Sequence, residues 1–226
     1  SEADVNLESG LIGYYKLDNN AEDSGVNGLN GILGDGSGNN IPTATTDRNG
    51  QANAAYEFDG SIKYVDLTEN TLFDLGDYTG FSISTWVDPE EVVQARGGII
   101  VGKYISASDN RMYLLRVLDG DINFRMFEEG KDQPFDEVKS PLQAGWMHVA
   151  VVLDNDVLTL YIDGIAVSST TRTVNIKDNS PTAKTVIGAS HFSNNLFDNN
   201  YEGKIDDVRI YNRPLNTAEI SVLANE

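Results

Sequence analysis

The chain has 226 residues with 16 basic and 35 acidic side chains, a formal charge of −19, and no cysteine. That length admits one large β domain or two small ones with a sizeable core, and the negative field opposes binding to nucleic acid or to an anionic membrane. No run of about 18 apolar residues occurs, so no spanning helix and no membrane insertion are expected.

The opening SEADVNLES has no basic region ahead of an apolar one, which places any signal peptide outside this stretch, and residues 1–9 read as a flexible lead-in. The charge is uneven. Residues 1–95 carry 3 basic and 17 acidic side chains, whereas 96–139 carry 7 and 8. An anionic ligand is therefore best sought near Arg96, Lys103, Arg111, Arg116, Arg125, Lys131 and Lys139, although charges scattered over strand faces would give the same count.

In chain order, Leu11–Leu17 is apolar and β-prone. Asp18–Asn40 is dense in Gly, Asn and Asp, and Asp23-Ser-Gly-Val-Asn27-Gly-Leu-Asn30-Gly31 offers side-chain oxygens and glycine turns that let carbonyls converge. Tyr56–Gly60 and Lys63–Asp66 read as short strands about a turn. Phe81–Val87 alternates with period two, Phe81, Ile83, Thr85 and Val87 on one face and Trp86 on the other, as in a strand buried between layers. Gly98–Gly102, Met112–Val117 and Ile122–Phe127 follow, the last two joined by a hairpin at Asp119-Gly120. Trp146–Leu153, Leu158–Ile162 and Ile165–Val167 form a meander with Asp163-Gly164 at one joint. Thr185–Gly188 is a further strand and His191–Tyr201 a polar loop. Trp86 and Trp146 are assigned to the core. No linker divides the chain, so an all-β sandwich or jelly roll of a single domain, 1–226, is expected.

The stretch Gly203–Glu219, GKIDDVRIYNRPLNTAE, places Asp206 and Asp207 inside an apolar strand that must stop at Pro214. Asn216 and Glu219 have capping-box spacing ahead of a helix over Thr217–Leu223. Two adjacent acids cost free energy unless paired, and no Lys or Arg alternates with both. Either one points to solvent or a cation sits there.

Catalytic patterns are weak. Glu57-Phe-Asp59 begins like a glycosidase strand motif, but Gly60, Ser61 and Ile62 stand where the closing Glu should be. Asp198–Gly203 begins like an EF-hand loop, but its twelfth position is Arg209 rather than Glu. Only His148 and His191 could serve a triad; His148 sits on a core strand and no Gly-x-Ser-x-Gly elbow exists. Sugar recognition needs an aromatic platform and forked polar groups. On alternation, Arg111, Tyr113 and Leu115 share one face and Asn123, Arg125 and Phe127 another on the neighbouring strand. Tyr104, Arg111, Tyr113, Arg125 and His191 could supply lyase chemistry on uronic acids, and the same residues with Asn123 are the candidate ligand site for a sugar. Tyr and Phe as core with Arg as solvated edge would give the same pattern.

Several pieces together resemble a known family: Gly13-Tyr-Tyr-Lys-Leu-Asp18, Asp23–Gly31, Tyr56-Glu-Phe-Asp-Gly60, Phe81–Trp86, Trp146-Met-His-Val-Ala150, Leu160-Tyr-Ile-Asp-Gly164 and Gly203–Arg213. In this order the chain resembles a laminin-G-like module of the concanavalin A-like lectin/glucanase superfamily, of the bacterial, pentraxin-related kind. The resemblance implies a two-sheet antiparallel β-sandwich (jelly roll) with a short C-terminal helix. It also implies one module of a larger extracellular or cell-surface protein, with neighbouring domains. Calcium (Ca2+) is implied too, with Asp23, Asn27 and the Gly28 carbonyl in the loop and Asp206 on the strand. Asp207 is the less suitable partner, since alternation turns it away from Asp206. The functional expectation is a non-catalytic, calcium-stabilised, carbohydrate-binding module for adhesion or polysaccharide targeting. The alternatives are a polysaccharide lyase or glycoside hydrolase, and a protein-binding or spacer domain of an adhesin.

Overall fold

The computed structural model describes residues 4–90, 97–105, 111–128, 131, 133–176, 183–193 and 196–226. Arg96 lies outside them. The described strands are β1 (Leu11–Tyr15), β2 (Ile32–Leu33), β3 (Thr43–Thr45), β4 (Ala55–Asp59), β5 (Val65–Asp66), β6 (Phe81–Pro89), β7 (Gly98–Tyr104), β8 (Arg111–Leu118) and β9 (Asp121–Phe127). They continue with β10 (Phe135–Pro141), β11 (Met147–Asp154), β12 (Val157–Ile162), β13 (Ile165–Thr171), β14 (Thr185–Ile187), β15 (Ser190–Ser193), β16 (Leu196–Asp198) and β17 (Glu202–Tyr211). A helix, α1 (Thr217–Leu223), closes the chain.

Two antiparallel sheets form the sandwich. Sheet A runs β13-β12-β11-β6-β17-β4-β3, with β1 also on β17, and sheet B runs β10-β9-β8-β7-β14-β5-β2. The alternation read in Phe81–Val87 holds: Phe81, Ile83 and Val87 join Val149, Val151 and Ile205 in one core with Leu115, Phe124 and Val138 of sheet B. Phe81 and Phe124 meet across the layers with ring centroids 6.0 Å apart. Each fully buried Phe or Leu of this kind contributes about 1.5–3 kcal/mol through area removed from water.

Local chemistry explains most of the ends. Asn216 accepts from the Glu219 backbone N–H while the Glu219 carboxylate accepts from Asn216 N–H, completing the expected capping box. Glu219 also takes two bonds from Arg213, at 2.7 and 2.8 Å, so the Arg-Pro stop and the helix start are one unit. The supposed loop after His191 is a small hairpin, β15 with β16, in which His191 stands opposite Phe197. Both tryptophans differ from expectation. Trp86 and Trp146 are only partly buried and are absent from the buried core. The outer face of sheet A that carries Trp86 is covered in part by α1, whose Ile220 and Leu223 pack on Ala150, Val152 and Tyr211. Among the described residues, no helix is long and apolar enough to cross a membrane.

The centre of sheet A is β17, which pairs with β6 along one side and changes partner along the other. Glu202–Ile205 pair with β4, and Val208–Tyr211 pair with β1. At the changeover the ladder with β6 slips between Asp206 and Arg209, and Asp207 adopts φ +51°. That bulge breaks strict alternation.

Candidate functional site

The adjacent acids lie at this bulge, which turns both carboxylates the same way and corrects the expectation that Asp207 faces away. The cation between them is Arg48. Its Nη1 donates to Asp206 Oδ2 and its Nη2 to Asp207 Oδ2, the latter at 2.8 Å. Arg48 is aimed by a turn after β3 in which Asp47 Oδ1 accepts from the Asn49 and Gln51 N–H groups at 2.9 and 2.7 Å. The guanidinium also lies 4.6 Å from the Trp86 ring centre. Tyr14 donates its hydroxyl to Asp207 Oδ1, and Arg209 stacks 3.9 Å from the Tyr14 ring while pairing with Glu226 at 2.7 Å. Burial, reinforced by the Asp207 charge and opposed by Arg48, pushes the Asp206 carboxyl up to about 8. With Asp206 2% and Arg209 6% exposed, this network ties β1, β17, the Asp47 turn and the C-terminus together rather than facing a substrate.

His148 belongs to the same layer. Its Nε2 lies 2.8 Å from Ser84 Oγ, but Asp163 accepts from the His148 backbone N–H and not from the ring. Burial, together with Arg209 and Arg48, holds its pKa down to about 3. The ring is uncharged at neutral pH and fully buried, and among the described residues its Nδ1 has no hydrogen-bond partner to orient it as the histidine of a triad would need.

The Asp23 loop is held by its own hydrogen bonds. Asp23 Oδ1 accepts from Tyr14 N–H and Gly25 N–H at 2.9 and 2.8 Å, and Oδ2 accepts from Leu29 N–H at 2.9 Å. Asn27 is a donor, giving its amide to the Leu11 and Ile12 carbonyls at 3.1 and 2.8 Å. Gly28 supplies the turn at φ +63°. A calcium shell needs six to eight oxygens free to converge. Here Asp23 is occupied by backbone donors, Asn27 presents nitrogen and Asp206 is held by Arg48. Among the described residues no three His, Cys, Asp or Glu side chains gather as a metal cluster. This donor set does not fit the ion, and no step is assigned to it.

The candidate ligand face lies on the outside of sheet B with one correction. Register across the Asp119-Gly120 turn sets Asn123 opposite Arg116 and Arg125 opposite Leu114. The outward neighbours of Asn123 and Arg125 are therefore Arg116 and Leu114. Tyr113 points inward instead; it is fully buried, its hydroxyl donating to the Phe73 carbonyl at 3.2 Å. Arg116 takes its place. Arg116 Nε donates to Asn123 Oδ1 at 3.0 Å, and Arg125 Nε donates to Glu137 Oε1 at 2.6 Å. Arg116 Nη2 is buried and has no hydrogen-bond partner among the described residues. Burial and the neighbouring Arg125 charge lower the Arg116 pKa to about 10, which leaves it charged at neutral pH.

Aromatic rings back these cations. Tyr104, Phe127 and Phe135 form a ladder with centroids 5.7 and 5.8 Å apart. Arg111 lies 5.1 Å from the Tyr104 ring centre and Arg125 4.1 Å from that of Phe135. The face thus brings together Tyr104, Arg111, Asn123 and Arg125 of the expected set. His191 stands apart on β15, bridged to Ile105, 6% exposed and with its proton affinity lowered by burial and by Lys184.

A family model described as the concanavalin A-like lectin/glucanases superfamily matches residues 35–221. Among solved structures, the binding domain of Paraclostridial Mosquitocidal Protein 1 superposes with a TM-score of 0.73 at 17% identity, over 97% of this chain and 53% of that one. The binding domain of botulinum neurotoxin DC in complex with SialylT gives 0.69 at 16% identity, over 97% and 52%. The same toxin's binding domain in complex with rat synaptotagmin II gives 0.70 at 15%, over 97% and 52%. The chain thus spans about half the length of these structures, and at such identities the likeness is one of fold. No curated protein sequence matches the chain.

Proposed function

The chain belongs to the concanavalin A-like lectin/glucanases superfamily, and from that premise we propose that it is a non-catalytic recognition module binding acidic carbohydrate on the outer face of sheet B. The observation that carries this reading is the Arg116 guanidinium. It is largely withdrawn from water, still charged, and has a donor without a partner among the described residues, next to Arg125. A carboxylate suits that position because it accepts from a guanidinium fork and would neutralise Arg116, whose neighbour Arg125 already has Glu137 as a partner. The rings of Tyr104 and Phe135 offer apolar surface to the same ligand. The local charge supports the choice. Residues 96–139 are nearly neutral within a chain of net charge −19, so the repulsion met by an anion is least there.

A glycan is favoured over a protein partner because the polar groups are few and convergent. One of the similar toxin domains is seen in complex with SialylT and also in complex with rat synaptotagmin II, so the likeness itself does not choose between the two. The setting that follows is extracellular or on a cell surface, within a larger protein. Calcium has no part in this site. Affinity electrophoresis through gels containing sialylated, uronate-rich or neutral polysaccharide tests the proposal. Retardation is expected in the acidic gels and is lost in Arg116→Gln; retardation by neutral gels alone, or depolymerisation of any of them, would overturn it.

A further inference from the structure

The outer face of sheet A carries a second, differently charged cavity at the end of β17 away from the Asp206 bulge. Cross-strand register sets Glu57 of β4 opposite Lys204 of β17, and Lys204 opposite Asp88 of β6. Their sequence neighbours Phe58, Ile205 and Val87 are fully buried in the core, so these three polar side chains form a row pointing outward. Lys204 Nζ lies 3.0 Å from Asp88 Oδ2 and 6.0 Å from the centre of the Trp146 ring. Glu57 has no ion pair or side-chain hydrogen bond among the described residues.

Beside this row lies a cavity of about 390 Å3 lined by Glu57, Asp88, Glu90, Gly145, Gly203 and Lys204 among others, within the roughly 300–1,000 Å3 of small-ligand clefts. Two glycines line it. At Gly203, φ +138°, a Cβ would stand 2.5 Å from the Asp88 carbonyl oxygen, and at Gly145, φ +86°, nothing lies within 4 Å. The tryptophan next to Gly145 is only partly buried, contrary to the core role its sequence suggests.

We propose that this cavity is a binding site for an uncharged pyranose, separate from the basic face of sheet B. Carboxylates accept hydrogen bonds from vicinal hydroxyls, an ammonium donates to a hydroxyl or ring oxygen, and an indole face packs on the sugar's C–H surface. Glu57, Asp88 and Lys204 supply the polar groups on one strand row, and the indole is that of Trp146, which follows the lining residue Gly145 in sequence and whose ring centre lies 6.0 Å from Lys204 Nζ. Three carboxylates against one ammonium give the lining a net negative charge, which repels uronates and sialic acids and selects neutral rings. The two sheets would then present sites of opposite charge preference. This inference does not depend on the sheet B reading.

The test is a titration of the 15N-labelled protein with methyl glucosides, galactosides and mannosides and with cellobiose, maltose and lactose, watching the two indole Nε1–H signals. Trp86 Nε1 is tied to the Leu223 carbonyl and serves as the internal reference. The expected result is a saturable shift of the Trp146 signal with at least one neutral sugar. Affinity should fall about tenfold or more in Glu57→Gln and in Lys204→Met, as for loss of one charge-assisted hydrogen bond, and stay unchanged in Arg116→Gln. Melting temperatures of the variants close to that of the parent would show that the loss is local. No Trp146 shift with any neutral sugar, an equal shift with sialyllactose, or a shift undiminished in both variants would overturn the proposal.

Discussion

Arg48→Met removes the guanidinium that bridges Asp206 and Asp207 while keeping an apolar stem against Trp86. The two carboxylate side chains are 3% and 12% exposed, and the nearest remaining cation, Arg209, stands 3.9 Å from Asp207. Leaving a buried charge without its partner costs about 3–5 kcal/mol. Protonation of Asp206, already favoured by burial, keeps the cost at neutral pH toward the lower figure. For a chain of 226 residues each kcal/mol moves the melting temperature by about 2–4 °C, so a fall of roughly 6–20 °C is expected. Differential scanning calorimetry at pH 7 and urea unfolding measure it. Arg48→Met combined with Asp207→Asn should recover much of the loss, because Asp206 is already protonated at pH 7 and Asp207 is the charge that loses its Arg48 partner. A single variant losing less than about 1 kcal/mol, or a double variant no more stable than the single, would refute the reasoning.

The pH profile of stability follows from two buried groups with opposite signs. The folded chain holds a proton on Asp206 up to about pH 8 that the unfolded chain releases near 3.8, so this group makes stability fall as pH rises between those values. His148 is kept neutral down to about 3, against an ordinary value of 6.5, so it makes stability fall as pH drops between 6.5 and 3. The slopes oppose one another below pH 6.5 and leave a net decline from 6.5 to 8, which Asp206→Asn should flatten; a parent protein that grows more stable over 6.5–8 would contradict the assignment. Excess calcium and then chelator should leave the melting temperature unchanged, since the Asp23 loop closes on backbone N–H groups. A calcium-dependent rise of several degrees would instead reinstate a metal at that loop. Gly188→Ala should be strongly destabilising, because at φ +86° its Cβ would fall 2.1 Å from the Phe58 ring; near-parent stability by urea unfolding would contradict that packing.

The sandwich and its helix are legible because their signals are local. Alternation in Phe81–Val87, the Asp119-Gly120 turn and the Asn216–Glu219 spacing each act within a few residues. The register of that turn is also written in the sequence, but strand alternation alone, which puts Tyr113 on the ligand face, does not use it. A two-residue connection pairs Leu118 with Asp121, and counting outward reaches Arg116 opposite Asn123, which selects Arg116 over Tyr113. The acid pair illustrates the limit. Arg48 lies 158 residues before Asp206, and the bulge that turns Asp207 toward it arises where β4 hands over to β1, which no window of sequence contains. The partial exposure of Trp86 is hidden from the sequence for a related reason. Its outer face is covered by α1 and Arg48, elements remote in the chain, so an aromatic in an apolar strand suggested core.

The claim that an acidic sugar binds between Arg116 and Arg125 is tested most directly by following the arginine Nε–H signals of the labelled protein during titration with sialyllactose. Saturable shifts of the Arg116 and Arg125 signals, with the Trp146 indole unmoved, are the expected result. Signals of both arginines that stay in place at millimolar sugar would contradict it.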